Sequence, residues 1–395
     1  MIHKLIFWIW TGFLLRISNA IINGFFGPSF GAGQDAIWFH MQAIEFSKNL
    51  VFNEYITGLI YPYILGAIYF LTMDHLFIGS VLSVLGWLVS AFILVRIMRI
   101  LSFDMSIQWK VMFFYSILPS SVMYTSITLR EPFQLLFVNL AIYAALKIYC
   151  QKSVIHWLAF AFSIAGMGVL HGALLATGVF ILVSVLVLLT YRSQKIFTLM
   201  KFFLIAPLIT LSLCYGFLLF TNFSYGLGGE LAAFVQNYQD AVTSMGARSN
   251  YLTGIQIGDL GSLILYTPYF LFQYLFEPMP WKMTSLKDVI PLLENILRAW
   301  LIWNALKYFR AISRTNPRFI GNKPFENWKL ILFIFLSFLV MEGIWSLGTV
   351  NWGTSIRHHL PALGLLLVVG FSYKNLTLLK FNQSNNSPFI IDHKL

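Results

Sequence analysis

Residues 77–98 read FIGSVLSVLGWLVSAFILVRIM, with no charge before Arg96. A bilayer core takes about 20 mostly apolar residues of helix, so this run is a membrane span. Arg96 and the following Arg99 give it a direction, because basic residues gather at the cytoplasmic end of a span. Runs of the same kind recur at 5–23, 109–126, 132–149, 154–170, 172–190, 202–220, 289–307, 330–348 and 359–377. The expected fold is therefore an all-α, polytopic bundle of about ten spans.

The loops agree on one orientation. With the N-terminus cytoplasmic, 18 of the 26 Lys and Arg residues fall on the cytoplasmic side. Six remain outside (Lys48, Arg130, Arg248, Lys282, Lys287 and Arg357), and Arg16 and Arg298 lie within spans. Of the 15 acids, only Asp104, Glu326 and Asp392 fall inside. Both termini are expected in the cytoplasm, in a multi-pass protein of the cytoplasmic (inner) membrane.

Composition points the same way. The chain is 58% hydrophobic and 10% charged, with a mean hydropathy of +0.75. No stretch is polar enough for a separate soluble domain. The net charge of +11 flanks spans, which argues for topology and an anionic leaflet rather than nucleic acid. Cys150 and Cys214 form no disulfide or metal framework. Lys4, an apolar run and Ser18-Asn19-Ala20 imitate a signal peptide, but Arg16 interrupts the run, so an uncleaved first helix is expected.

One membrane domain covers 1–380, and 381–395 is a polar cytoplasmic tail. The first outer loop, 24–58, opens with turn-forming glycines and continues as DAIWFHMQAIEFSK (35–48). Its apolar and polar faces predict a short amphipathic helix at the membrane interface, with Asp35 at its start in a position suited to an N-cap. Residues 59–73 contain Pro62 and are apolar but marginally long, and are expected to insert only halfway. The second outer loop, 221–288, has a polar centre at 237–254 and an apolar dip at 262–276. The cytoplasmic loop 308–329 is strongly basic. No internal repeat is visible, which counts against transporters built from inverted halves.

No phosphate-binding loop, HExxH helix, GxSxG elbow or cysteine array occurs. The chemistry-bearing residues lie at the outer face. Asp35, near His40, can act as a general base or hold a divalent cation, or simply cap its helix. Arg130 and Glu131, before Pro132, are either an interfacial pair or a holder for lipid phosphate. Arg357, followed by His358 and His359, stands outside against the charge bias; it either pairs with Glu342 or Glu277 or binds a phosphate. His171, at the start of a span, reads as a helix-packing residue.

With these residues in place, the chain resembles the membrane glycosyltransferases of the C superfamily, which use polyprenyl-phosphate-linked sugars. GQDAIWFHMQAIEF (33–46) is similar to that family's acidic first outer loop, and SIRHHLPALGLLLVVG (355–370) to its late arginine-containing loop. LPSSVMYTSITLREP (118–132) and EPMPW (277–281) resemble segments of surface-polysaccharide proteins. The resemblance implies an inverting transferase with Asp35 as the catalytic carboxylate. Arg130, Glu131, Arg357, His358 and His40 would bind substrate. The partners would be a lipid-linked sugar donor, a glycan or lipid-linked acceptor and membrane lipids. No cofactor is implied with certainty, and a divalent cation at Asp35 stays open. A repeat-unit polymerase of O-antigen or exopolysaccharide is the nearest alternative, and a flippase of lipid-linked sugars is the alternative from another class.

Overall fold

The computed structural model describes residues 1–27, 33–52, 60–151, 153–190, 231–244, 248–251, 255–314 and 327–386. The described residues are helical, with no strand beyond an isolated bridge between Asn250 and Asn351. In chain order the helices are α1 (Ile2–Phe25), α2 (Gly33–Asn49), α3 (Ile60–Leu71), α4 (Leu76–Ile100) and α5 (Met105–Ile117). Next come α6 (Pro119–Tyr124), α7 (Glu131–Gln151), α8 (Val154–Leu170), α9 (Gly172–Thr190) and α10 (Leu231–Ser244). The last are α11 (Leu260–Phe276), α12 (Val289–Ser313), α13 (Trp328–Gly348), α14 (Trp352–His358) and α15 (Leu363–Asn386).

Among the described residues, six helices are long and apolar enough to cross a membrane: α1, α4, α7, α9, α12 with its preceding turn, and α13. A seventh crossing follows if α14 and α15, bent by 75° at their junction, count as one span. This is the architecture of a multi-pass membrane protein. Apolar side chains left exposed on the bundle, among them Phe7, Trp10 and Leu14 on α1 and Leu85, Val89 and Phe92 on α4, suit contact with lipid tails.

The remaining expected spans divide into three cases. The run 202–220 lies outside the described residues. The run 154–170 forms α8, an apolar helix slightly too short to pass the same test. The run 109–126 is two helices, α5 and α6, because Pro119 forces Leu118 into an extended conformation (φ −54°, ψ 126°) and restarts the helix. Pro361 marks the other break, between α14 and α15. Both breaks expose backbone groups inside the bundle. At the first, the Ser120 N–H and hydroxyl donate to Glu294 on α12, at 2.9 and 2.6 Å.

The helices α1, α4, α5 and α6 meet around Arg16, which is fully buried. Its Nε donates to Thr125 Oγ1 at 2.7 Å, Nη1 to the Gly12 and Ser116 carbonyls at 2.9 and 2.8 Å, and Nη2 to Ser121 Oγ at 2.8 Å. The Trp87 ring lies 3.7 Å from the guanidinium carbon. Close approach of α1 requires Gly12, since a Cβ there would meet Trp87 at 2.6 Å and Ser116 at 2.7 Å.

Among the described residues the charges separate along the helices. At one end of the bundle, α7 begins with Glu131, α12 follows Asp288, and α14 carries Arg357. Towards the other end, α4 carries Arg96 and Arg99, α7 Lys147, α12 Lys307 and Arg310, and α15 Lys374. There Asn375 Oδ1 accepts the Asp104 N–H at 2.8 Å. Asp104 in turn caps α5 by accepting the Ser106 N–H at 2.7 Å.

Candidate active site at the bundle end

Arg357, on the short helix α14, lies between two carboxylates from distant parts of the chain. Its Nη1 donates to Asp35 Oδ2, and its Nε lies 3.0 Å from Glu131 Oε1. The side chain of Glu131 is 2% exposed, that of Arg357 17% and that of Asp35 50%. Glu131 is thus the buried partner of the arginine, whereas Asp35 reaches it from the solvent side. The helix α2 begins at Gly33, so Asp35 stands in its first turn, where a carboxylate also suits the helix dipole.

Arg130 completes the charged group. Its Nη1 donates to the Leu170 carbonyl at 3.3 Å, and its guanidinium lies 5.8 Å from the Phe39 ring. Burial is the main effect on Arg130 and lowers its pKa, with Glu131 opposing. Arg130 Nε and Glu131 Oε2 are buried without hydrogen-bond partners among the described residues, which leaves unused capacity for both donating and accepting.

Behind the arginines lie two histidines packed on Trp345, His358 at 4.0 Å and His171 at 4.3 Å between ring centres. Burial and then the charges of Arg130 and Arg357 push His171 down to about 3. Its Nδ1 accepts the Ala173 N–H at 3.2 Å, so the neutral ring carries its proton on Nε2. His358 Nδ1 is 2.9 Å from Thr349 Oγ1.

The structure therefore brings Asp35, Arg130, Glu131, Arg357 and His358 together and adds His171, which the sequence alone suggests only as a packing residue. It does not bring in His40. Five residues beyond Asp35 on a helix is a rotation of about 140°, which turns His40 towards α3. There its Nδ1 is 2.8 Å from the Tyr69 hydroxyl, and burial lowers its pKa. The partners expected for Arg357 are committed elsewhere: Glu277 binds Lys282 at 2.5 Å, and Glu342 binds His359. Among the described residues no three His, Cys, Asp or Glu side chains group as a metal site, and the partner of Asp35 is a cation.

A clasp ties α14 to the preceding loops. Asp288 accepts five hydrogen bonds: two from Arg248, both at 2.8 Å, two from the Thr284 and Ser285 N–H groups, and one from the Trp352 indole at 3.1 Å. Beside it, the Tyr251 N–H donates to the Val350 carbonyl and the Trp352 N–H to the Ser249 carbonyl. Asp288 is 3% exposed and Arg248 50%, so the two ends of this ion pair are not equivalent. Asp288→Ala should lower the thermal midpoint by several degrees through the loss of bonds worth roughly 1 kcal/mol or more each. Arg248→Ala should lower it by less than half as much; equal shifts in a melting experiment would contradict this asymmetry.

No family model matches the chain, and no curated protein or solved structure matches it either.

Proposed function

We propose that the chain is a membrane glycosyltransferase that moves a sugar from a polyprenyl phosphate or pyrophosphate donor to an acceptor hydroxyl. The observation that supports this reading most is Arg357 held between buried Glu131 and half-exposed Asp35, with Arg130 alongside. A guanidinium is suited to bidentate capture of phosphate, and Asp35 is the partner a ligand can displace. Donor phosphate taking over Arg357 frees the Asp35 carboxylate. The acceptor oxygen then forms its bond to the anomeric carbon while the carbon–oxygen bond to phosphate breaks. The phosphate keeps the electron pair, stabilised by Arg357 and Arg130, and the acceptor proton passes to Asp35. His171 and His358 donate hydrogen bonds without adding charge.

In this reading the protein has about ten spans in the cytoplasmic (inner) membrane, with both termini cytoplasmic. The amphipathic helices α2 and α3 lie at the outer interface, where the exposed apolar residues Trp38, Met41, Ile64 and Phe70 meet lipid. The polymerase alternative shares this site. The flippase alternative draws support from the two broken helices inside the bundle, a feature of transporters.

Proteoliposomes loaded with a labelled polyprenyl-phosphate sugar separate these readings. Transfer of label to a water-soluble or lipid acceptor is the expected result; movement of intact donor between leaflets without bond cleavage would replace the transferase by a flippase. Reporter fusions after residue 104 should read as cytoplasmic and those at 240 as external, and the reverse pattern would put the proposed site on the wrong side.

A further inference from the structure

Directly beneath α14, inside the bundle, four ionisable side chains line one small cavity: Glu294 and Arg298 from α12, Glu342 from α13, and His359 at the break after α14. The cavity measures about 30 Å³. That is room for about two water molecules. Its other walls are mostly apolar, including Leu118, Leu297 and Phe338. Charged groups inside a membrane bundle are costly to keep and mark functional sites.

Hydrogen-bond geometry identifies what this site holds. His359 Nε2 is 3.1 Å from the Tyr274 carbonyl, which can only accept, so Nε2 carries a proton. His359 Nδ1 is 2.5 Å from Glu342 Oε2. An imidazole lone pair and a carboxylate cannot approach that closely without a proton between them, and the gap excludes any larger cation. Glu342 Oε1 is buried and without a hydrogen-bond partner among the described residues, and the residue lines the cavity. Glu294 is already satisfied by Ser120, and Arg298 donates to the Leu275 carbonyl and to Asn295.

We infer that Glu342 and His359 form a proton-binding site inside the membrane bundle, at the edge of the small cavity. The other groups that face the pair are the Tyr274 hydroxyl on α11, Arg298 on α12 and His358 on α14. Loss of the proton sets a lone pair against a carboxylate and drives His359 from Glu342. Because His359 is two residues from Arg357, that movement displaces the arginine from Asp35 and Glu131. This last link rests on the phosphate-binding reading above; the proton site itself does not.

The test uses the full chain in detergent between about pH 6 and pH 9. In Glu342→Gln the amide N–H donates to Nδ1 in place of the shared proton, with nothing to titrate. The wild-type thermal midpoint should fall by several degrees more on alkalinisation than that of Glu342→Gln. His359→Gln, which donates to Glu342, should be as flat as Glu342→Gln and serves if the first variant does not fold. Parallel profiles for wild type and variants overturn the proton site. In the same samples, affinity for a short-chain polyprenyl phosphate should fall by up to about tenfold per pH unit in wild type only, since one proton is linked. Divergent melting profiles with no lipid-phosphate binding at any pH would uphold the proton site and remove the phosphate reading.

Discussion

Asp35→Asn should reduce sugar transfer by about 100- to 10,000-fold, the usual cost of removing a general base. The substitution preserves size and leaves an amide oxygen that can still accept from Arg357, so the Arg357–Glu131 pair stays in place. Abundance and thermal midpoint should therefore match wild type, because the lost ion pair is half-exposed and such pairs contribute about 0–1 kcal/mol. Donor binding should be unchanged or tighter, since the ligand no longer competes with a carboxylate for Arg357. That combination is specific to a base held in reserve by its own phosphate-binding partner. Transfer near the wild-type rate would return Asp35 to a role in holding α2 against α14.

Arg357→Ala is expected to fail in a different way. It strands Glu131 in the protein interior, and breaking a buried pair from one side costs roughly 3–5 kcal/mol, so the melting temperature should drop as well as the activity. The double variant Arg357→Ala/Glu131→Gln removes the stranded charge and should recover most of the stability. It should not recover donor binding, which is expected to stay about 30-fold or more below wild type, as for truncation of a desolvated charge partner. Arg357→Lys keeps the charge but not the fork and should fall between. A double variant that binds a lipid-phosphate analogue as tightly as wild type would remove Arg357 from the donor site and leave Arg130 as the cation to test.

Hydropathy made most of the helices visible, because a span needs only an apolar run of sufficient length. It did not separate α5 from α6, since averaging over a window ignores what Pro119 does to the residue before it. The site was legible as a set of residue types at one face, chiefly because Arg357 sits where the charge bias predicts none. Its pairing was not legible, for Asp35 and Arg357 are 322 positions apart and no local pattern links them. His40 shows the reverse case: it is close in sequence to Asp35, and helical rotation turns it towards Tyr69 on α3. Arg298 was visible as a charge within a span and Glu342 as an acid within reach of Arg357, but their convergence with Glu294 and His359 depends on the two helix breaks. Asp288 carried no signal in sequence, because a carboxylate in a polar loop looks like any other.

The buried Arg16 bears on how the protein is made. All but one of the groups that receive its guanidinium, at Ser116, Ser121 and Thr125, are synthesised 100–109 residues later. Until they emerge, α1 presents an unaccommodated cation to lipid, at a cost of about 2.5–3.5 kcal/mol at the centre of a helix. The first helix therefore gains its full stability in the bilayer only after α5 and α6 arrive. Its integration is a delayed, cooperative event in biogenesis, and a chain truncated before residue 116 should leave its leading helix poorly anchored.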